Sequence, residues 1–575
     1  MSRNYWDTYS RGRIVRRRLL GLTSTAAMGA AFIAACGGDD SKPSSSSSKN
    51  EGQPVSEQLI LGVNYTGQET NDYRLHGGAE SWLLRPHYET LITLDRETGA
   101  FAPRLAKEWK FSDDGLKVTF KLQEGVKFHD NWGEMTAEDV AWNYNVHKKA
   151  SREGGALIRQ TVREVQVNGP YEVTFNLTSP VRDDREFIFT DKYITAAIVS
   201  KKHWEAAGDS NDVRGHILAG TGPWKLTERQ AGSYLRFSAV DNHWRKAPDY
   251  KQLEYRIINE NSTRLSSLLA NEAHITQLPP DLEQTALNRG MKKVTGNVAA
   301  FRVWMDFWGC CVINAQTTKY RHPNAPLLDV RVRKALNKAI DREALNKAFL
   351  NGEGLLAQSG HINERREGWD DAWKKRWNDE YGYDAKAAKA LLEAAGYGAR
   401  NPLRITMLEN YQVGFPVGAD VQETIIAYWK AIGVETKFEK IDRATERPRA
   451  EAFEFDNHIF MYTSLSTAGA GFRVYNINTQ AALTADPDYA GNFRGMQLTE
   501  INELDNKIER GVSDEEYDKI MRQIGEAAFK NHLNIPLFWL PATFITNPNI
   551  VYNWSVDGTK TGLWSDLEYV EAKRA

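Results

Sequence analysis

Residues 421–438 read VQETIIAYWKAIGVETKF: an apolar-faced helical pattern from Val421 to Ile432 stops at Gly433, and Val434-Glu435-Thr436-Lys437-Phe438 resumes with strict alternation. A helical period, a glycine and a period of two in succession predict a helix followed directly by a strand. The same order recurs upstream. Asp384 to Ala395 is a second helical pattern, closed by Gly396-Tyr397-Gly398. In a third, Val332, Leu336, Ala339 and Ile340 share one apolar face with Arg and Lys opposite. Helix, glycine and strand repeated in this way indicate a mixed α/β unit.

Toward the N-terminus the pattern favours strands. Leu59-Ile60-Leu61-Gly62-Val63 reads as a buried strand and Ser81 to Leu91 as a short helix. Val118 to Leu122 follows Asp113-Asp114-Gly115, and Tyr171 to Leu177 follows Asn168-Gly169-Pro170, so both are period-two strands opened by turn residues. Thr136 precedes an acidic first turn and predicts a helix through Trp142 to His147. Further strands are expected around Leu235-Arg236-Phe237 and from Leu253 to Ile258, and a tight chain reversal at Gly220-Thr221-Gly222-Pro223. Trp109 and Trp142 sit on apolar faces and read as core. Trp369, Trp373 and Trp377, spaced by four, read as one helical stripe packed on the core.

With 575 residues, of which 41% are hydrophobic and 26% charged, the chain can bury at least two cores, which excludes disorder, collagen and a multi-span membrane protein. Six arginines and one aspartate fall in the first 35 residues, so the rest carries 67 basic against 74 acidic residues. A mildly acidic body offers no broad field for nucleic acid. Cys36, Cys310 and Cys311 are the only cysteines, too sparse for a disulfide framework. Consecutive Cα atoms lie about 3.8 Å apart, below the usual disulfide range, so Cys310 and Cys311 are expected first as free thiols, with a strained vicinal disulfide as the alternative.

Arg16-Arg17-Arg18-Leu19-Leu20 leads into an apolar, small-residue run ending Ile33-Ala34-Ala35-Cys36. A basic flank, an apolar stretch and small residues before a cleavage point describe an export signal over residues 1–35. The arginine pair resembles a twin-arginine signal, and Ile-Ala-Ala-Cys resembles the lipobox of bacterial lipoproteins, which implies lipidation of Cys36. The alternative is a single spanning anchor, for which 17 residues are the lower limit. Residues 36–54, with Ser44 to Ser48, read as a flexible tether.

Several blocks in order resemble the family 5 extracellular solute-binding proteins, the peptide, nickel and oligosaccharide receptors of ABC importers. They are Tyr88-Glu89-Thr90-Leu91 through Leu94-Asp95-Arg96-Glu97-Thr98-Gly99, Pro103-Arg104-Leu105-Ala106, Gly125-Val126-Lys127-Phe128-His129-Asp130, Gly220-Thr221-Gly222-Pro223-Trp224, Asp329 to Arg342, and Ala390 to Tyr397. The resemblance implies an α/β, two-lobed periplasmic-binding-protein-like clamp (type II, cluster C-like) with mixed sheets. Lobe I would comprise residues 55–300 with the C-terminal tail 539–575, and lobe II residues 301–538. Phe301 to Trp308 and Ile535-Pro536-Leu537-Phe538 are the candidate crossings.

The implied function is capture of an extracytoplasmic solute by hinge closure and delivery to a membrane permease, by a monomer held by its lipid. No cofactor, metal or catalytic residue is expected: the sequence has no Gly-x-Ser-x-Gly, no His-Glu-x-x-His and no phosphate loop, and its histidines, His129 and His458 among them, are scattered singly. A peptide is the first expectation for the solute and an oligosaccharide the alternative. A ligand sensor without transport would use the same clamp. Peptide-binding members carry an acidic partner for the ligand's ammonium in a stretch resembling Trp-x-Ala-Asp-Tyr-Pro-Asp-Pro after a lobe II strand. Here the strand Phe455 to Tyr462 is followed by Thr463 to Gly471 with no carboxylate. Asp456 or a carboxylate from elsewhere could substitute, while the hydroxyl and glycine richness suits a neutral, hydroxylated ligand. Candidate ligand-binding residues are Tyr65, Trp82, Trp308, Tyr462, Ser464 and Ser466, with Trp308, beside a crossing, foremost.

Overall fold

Two long strands, Lys292–Trp308 and Asn534–Thr546, run antiparallel from Lys292 opposite Thr546 to Asp306 opposite Asn534 and form the spine of the molecule. The structure is a computed structural model. It describes residues 52–575 apart from 66–68, 77–80, 95–100, 150–152, 179–187, 192–193, 209–215, 311–318, 358–368, 410–414, 442, 466–495, 510–511 and 557–565. The export signal, Cys36, most of the tether, Cys311 and Ser466 therefore lie outside the described residues.

Two sets of neighbours extend the sheet on either side of this spine, one beside each long strand. At the Lys292 end, Ile275–Thr276 pairs with Ile545 and Thr546, Gln58–Val63 runs parallel to it, and Gln252–Ile257, Tyr234–Ala239 and Trp224–Gln230 follow outward. At the other end, His458–Leu465 pairs antiparallel with Phe301 to Trp308, and Leu403–Glu409 and Val434–Lys440 continue the sheet in parallel. The runs expected to carry the chain between lobes are thus themselves ladder-paired: Val303 faces Phe538 and Met305 faces Ile535. The spine's register breaks twice between Thr295 and Phe301, where one set of neighbours gives way to the other, and once more between Val303 and Trp304.

A separate antiparallel sheet of Ala106–Phe111, Lys117–Leu122, Glu172–Leu177 and Val162–Gly169 has its own core. Val118, Phe120 and Leu122 alternate inward, as do Val173, Phe175 and Leu177, as half-buried strands should. The helix Ala137–His147 covers this sheet with Val140 and Tyr144, and its start is fixed by Asp139, which accepts a hydrogen bond from the Thr136 backbone at 3.0 Å. Gly115 takes φ +69°, as its hairpin turn demands. The stretch expected to form lobe I therefore contains a second core beside the main one.

The three helices form as expected, over Val330–Lys338, Ala385–Ala394 and Gly418–Ala431, the last leading into Val434–Lys440. Two expectations change. Ser81 to Leu91 is helical only as a 3-10 turn over Ser81–Leu83, because Pro86 cannot continue a helix and Leu84 to Leu91 pass through the interior. There the backbone meets Gly220 and Gly222, whose added Cβ atoms would lie 2.3 Å from the carbonyl oxygens of His87 and Pro86. Close approach of two backbones, rather than turn geometry, requires these glycines. The tryptophan stripe packs as read: Trp373 is fully buried, stacks on Phe529 at 5.7 Å, and has Trp369 and Trp377 around it. Cys310 lies buried in the main core.

Candidate functional site

The spine segment FRVWMDFW, residues 301–308, alternates between two environments. Val303, Met305 and Phe307 enter the main core, while Trp304 and Trp308 face the other side of the sheet, where they form a second cluster with Leu408, Ile441, Phe455, Phe460 and Tyr462. Period-two geometry places Arg302 and Asp306 on that second side as well. The neighbouring strand matches it residue for residue: Tyr462 lies opposite Trp304, Phe460 opposite Asp306, and Ser464 opposite Arg302. Tyr462 stacks on Trp304 with centroids 5.3 Å apart, and the Arg302 guanidinium lies over the Trp304 ring at 4.5 Å. The result is an aromatic wall with a buried cation and a buried carboxylate set into it, Arg302 and Asp306 being 2% and 0% exposed.

Two of the residues singled out from the sequence, Trp308 and Tyr462, therefore share one sheet face, and Ser464 lies on the same strand as Tyr462, paired with Arg302. Trp308 and Tyr462 are buried, so in this conformation neither presents an open ring. Tyr65 and Trp82 form another group. Tyr65 meets Trp82 edge-on at 5.8 Å, Trp82 meets Tyr255 edge-on at 5.3 Å, and the Tyr65 backbone N–H donates to Asn259 Oδ1. Tyr65 lies two residues past the strand Gln58–Val63, at the carboxyl end of a parallel pair with Gln252–Ile257, where α/β sheets commonly bind solutes.

Sequence reasoning passed over Arg302 and Asp306. The signal was present: two opposite charges at i and i+4 in an otherwise apolar strand must share a face, and buried charges are costly unless they are used.

Behind Tyr88 a buried ionic network fixes the scaffold. Burial opposes ionisation of Glu89, but Arg245, then His243 and Arg104, hold its carboxyl far below the usual range. Arg245 bridges Glu89, at 2.9 Å, and Glu568, while Arg104 reaches Asp566 at 3.0 Å, so the C-terminal tail is tied to the buried segment around Glu89. Among the described residues no group of three or more His, Cys, Asp or Glu side chains is placed to hold a metal ion.

The family model for bacterial extracellular solute-binding proteins, family 5 (Middle), matches residues 100–482, well over half of the chain. The chain belongs to this family. Among curated members, the oligopeptide-binding protein AppA of Bacillus subtilis is 24% identical over 553 residues, covering 93% of this chain and 94% of AppA. The dipeptide-binding protein of Escherichia coli is 28% identical over 372 residues, covering 61% of this chain and 65% of that protein. The solved structure of AppA in complex with a nonapeptide aligns with a TM-score of 0.71 at 20% identity, covering 90% of this chain and 99% of that one. NikA from Brucella suis, in complex with Fe(III)-EDTA, aligns equally well, with a TM-score of 0.71 at 20% identity over 90% of this chain and 100% of that one. The fold is thus the family's two-lobed α/β clamp with mixed sheets. Since the same fold holds a peptide in one member and a metal chelate in another, the solute is set by side chains and not by architecture.

Proposed function

We propose that the protein is the receptor of an ABC importer that captures peptides outside the cytoplasm and passes them unaltered to a membrane permease. The observation that carries this reading is the collinear similarity to an oligopeptide-binding protein over 93% of the chain. No chemistry on the solute is involved. Function lies in the difference in affinity between open and closed states. Tyr65 and Trp82 would line one wall, and Trp308, Tyr462, Ser464 and Ser466 the other. Because all four aromatic residues are buried, solute can reach them only when the walls separate. The lobes would divide at residues 55–300 with 539–575, and 301–538, with the motion centred on the register break between Thr295 and Phe301.

The N-terminal features complete the proposal: residues 1–35 direct export, Cys36 carries the lipid, and residues 36–54 tether a monomeric clamp to the membrane surface. Main-chain groups of an extended peptide would be satisfied by backbone in the cleft, which leaves side-chain selectivity loose. The carboxylate-free run from Thr463 to Gly471 favours an oligosaccharide as the second reading. Native mass spectrometry of the purified protein distinguishes them. The expected result is a ladder of intact peptides released on denaturation. Bound glycans would install the second reading, and turnover of the bound compound would overturn a binding role.

A further inference from the structure

Arg229 stands one residue before the end of the strand Trp224–Gln230. In register it faces Leu235, Leu235 faces Tyr255, and Tyr255 faces Leu61. Directly paired residues share a sheet face, so Arg229 lies on the face where Trp82 packs on Tyr255. Its three guanidinium nitrogens are all buried, and none has a hydrogen-bond partner among the described residues. Glu69 attracts it, and Tyr65 and Tyr88 are its other ionisable neighbours. Yet no salt bridge joins Glu69 to Arg229. Glu69 instead accepts the Gly232 backbone N–H at Oε1, at 2.8 Å, and its Oε2 is buried without a donor among the described residues.

Neither group is explained by folding. A guanidinium buried without acceptors destabilises the protein that contains it, and burial pulls Arg229 below its ordinary pKa. Both groups sit at the end of the sheet where Gln58–Val63 and Gln252–Ile257 present their carboxyl ends. A planar fork of donors beside a vacant acceptor matches a carboxylate with an adjacent N–H or O–H.

We propose that Arg229 is the anion-recognising group of the lobe I wall, pairing with a carboxylate of the bound solute while Glu69 Oε2 accepts a neighbouring donor of the same molecule. This rests on the solute-binding reading above and narrows it to solutes that carry a carboxylate, whether a peptide's terminus or an acidic side chain.

Calorimetric titration of wild type, Arg229→Met and Arg229→Lys with trialanine, trialanine amide and Ala-Glu-Ala amide tests it. Wild type should prefer one of the two carboxylate-bearing peptides over trialanine amide by about 10- to 100-fold, the range of a hydrogen-bonded charge pair. Which of the two it prefers identifies the source of the carboxylate. Arg229→Met should erase the preference while keeping the amide's affinity, and Arg229→Lys should keep part of it. Arg229→Met should also melt, without ligand, no lower than wild type, whereas a structural arginine would lower the melting temperature. A preference surviving in Arg229→Met, or no preference in wild type that binds peptides, overturns the assignment. If no peptide binds, the peptide reading falls, and thermal shifts with succinate and citrate decide Arg229 separately. Stabilisation lost in Arg229→Met upholds the site, and equal behaviour of the two proteins overturns it.

Discussion

Trp308 lies flat against Phe460, ring centroids 4.6 Å apart and planes 10° from parallel. Both rings are fully buried on the side of the sheet away from the main core, so they hold the aromatic wall in shape before any solute arrives. Truncation should therefore be felt in stability as well as in binding. Trp308→Ala is expected to cost about 3–5 kcal/mol of unfolding free energy, as for other buried large aromatics. Trp308→Phe, which keeps a stacking ring, should cost clearly less. Denaturant unfolding of the two variants checks the ordering. Equal small losses would mean that the wall does not depend on this stack.

The two kinds of glycine in the chain should respond differently to the same methyl group. At Gly220 a Cβ would stand 2.3 Å from the His87 carbonyl oxygen, and backbone cannot step aside without moving the buried segment that follows. Gly433 takes φ +90° with open space around it. Gly220→Ala should cost about 4 kcal/mol or more, in the range reserved for overpacking and broken backbone contacts. Gly433→Ala should cost only about 1–2 kcal/mol, the strain of a left-handed alanine. Chemical denaturation of both variants side by side measures the gap, and near-equal values would contradict the close approach at Gly220.

Those two glycines also mark how far the sequence can be read. Gly433 was legible because its role is local: it ends a helix and a strand follows at once. Gly220 looked like a turn because its real constraint, the backbone of Pro86 and His87, comes from a segment distant in sequence. The helical reading of Ser81 to Leu91 failed for a related reason, since Pro86 sits in its middle and the segment from Leu84 to Leu91 is buried throughout. At the candidate site, Trp308 and Tyr462 could be named singly, but their shared face follows from pairing between Lys292–Trp308 and His458–Leu465, which no local pattern reveals. Arg229 carried no local signal at all, because its significance lies in what does not surround it.

The ionic network behind Tyr88 makes a prediction about the tail. Glu89 is wholly buried and answers Arg245 at 2.9 Å, and Arg245 in turn holds Glu568. Glu89→Ala should destabilise by about 3–5 kcal/mol because it leaves buried cations without their counter-charge. The double variant Glu89→Ala/Arg245→Ala should lose less than the sum of the single losses, with a coupling of about 0.5–3 kcal/mol. Hydrogen exchange should show protection lost over residues 566–572 in Glu89→Ala. Additive single losses with an unchanged tail would show that the network is not a unit.

Acid should weaken the fold through its histidines before its carboxylates. His87 donates from Nε2 to the Leu218 carbonyl at 2.7 Å and accepts the Leu226 N–H at Nδ1 at 2.8 Å, so a second ring proton would face a donor. His274 likewise accepts the Ile60 N–H at Nδ1. Burial holds His87 well below the ordinary value and lowers His129, His274 and His532 to about 4 and His147 to about 3. In the unfolded chain these rings protonate near pH ~6.5. Between that value and their folded values the unfolded state binds more protons, so stability must fall as pH falls. Each histidine contributes a slope of up to about 1.4 kcal/mol per pH unit across its window. Stability measured by denaturant at a series of pH values should thus be flat above pH ~7 and drop steeply from there toward pH ~4. His274→Gln should flatten part of that slope at the cost of some stability at neutral pH. A profile unchanged down to pH ~4 would contradict neutral, hydrogen-bonded imidazoles in the folded state.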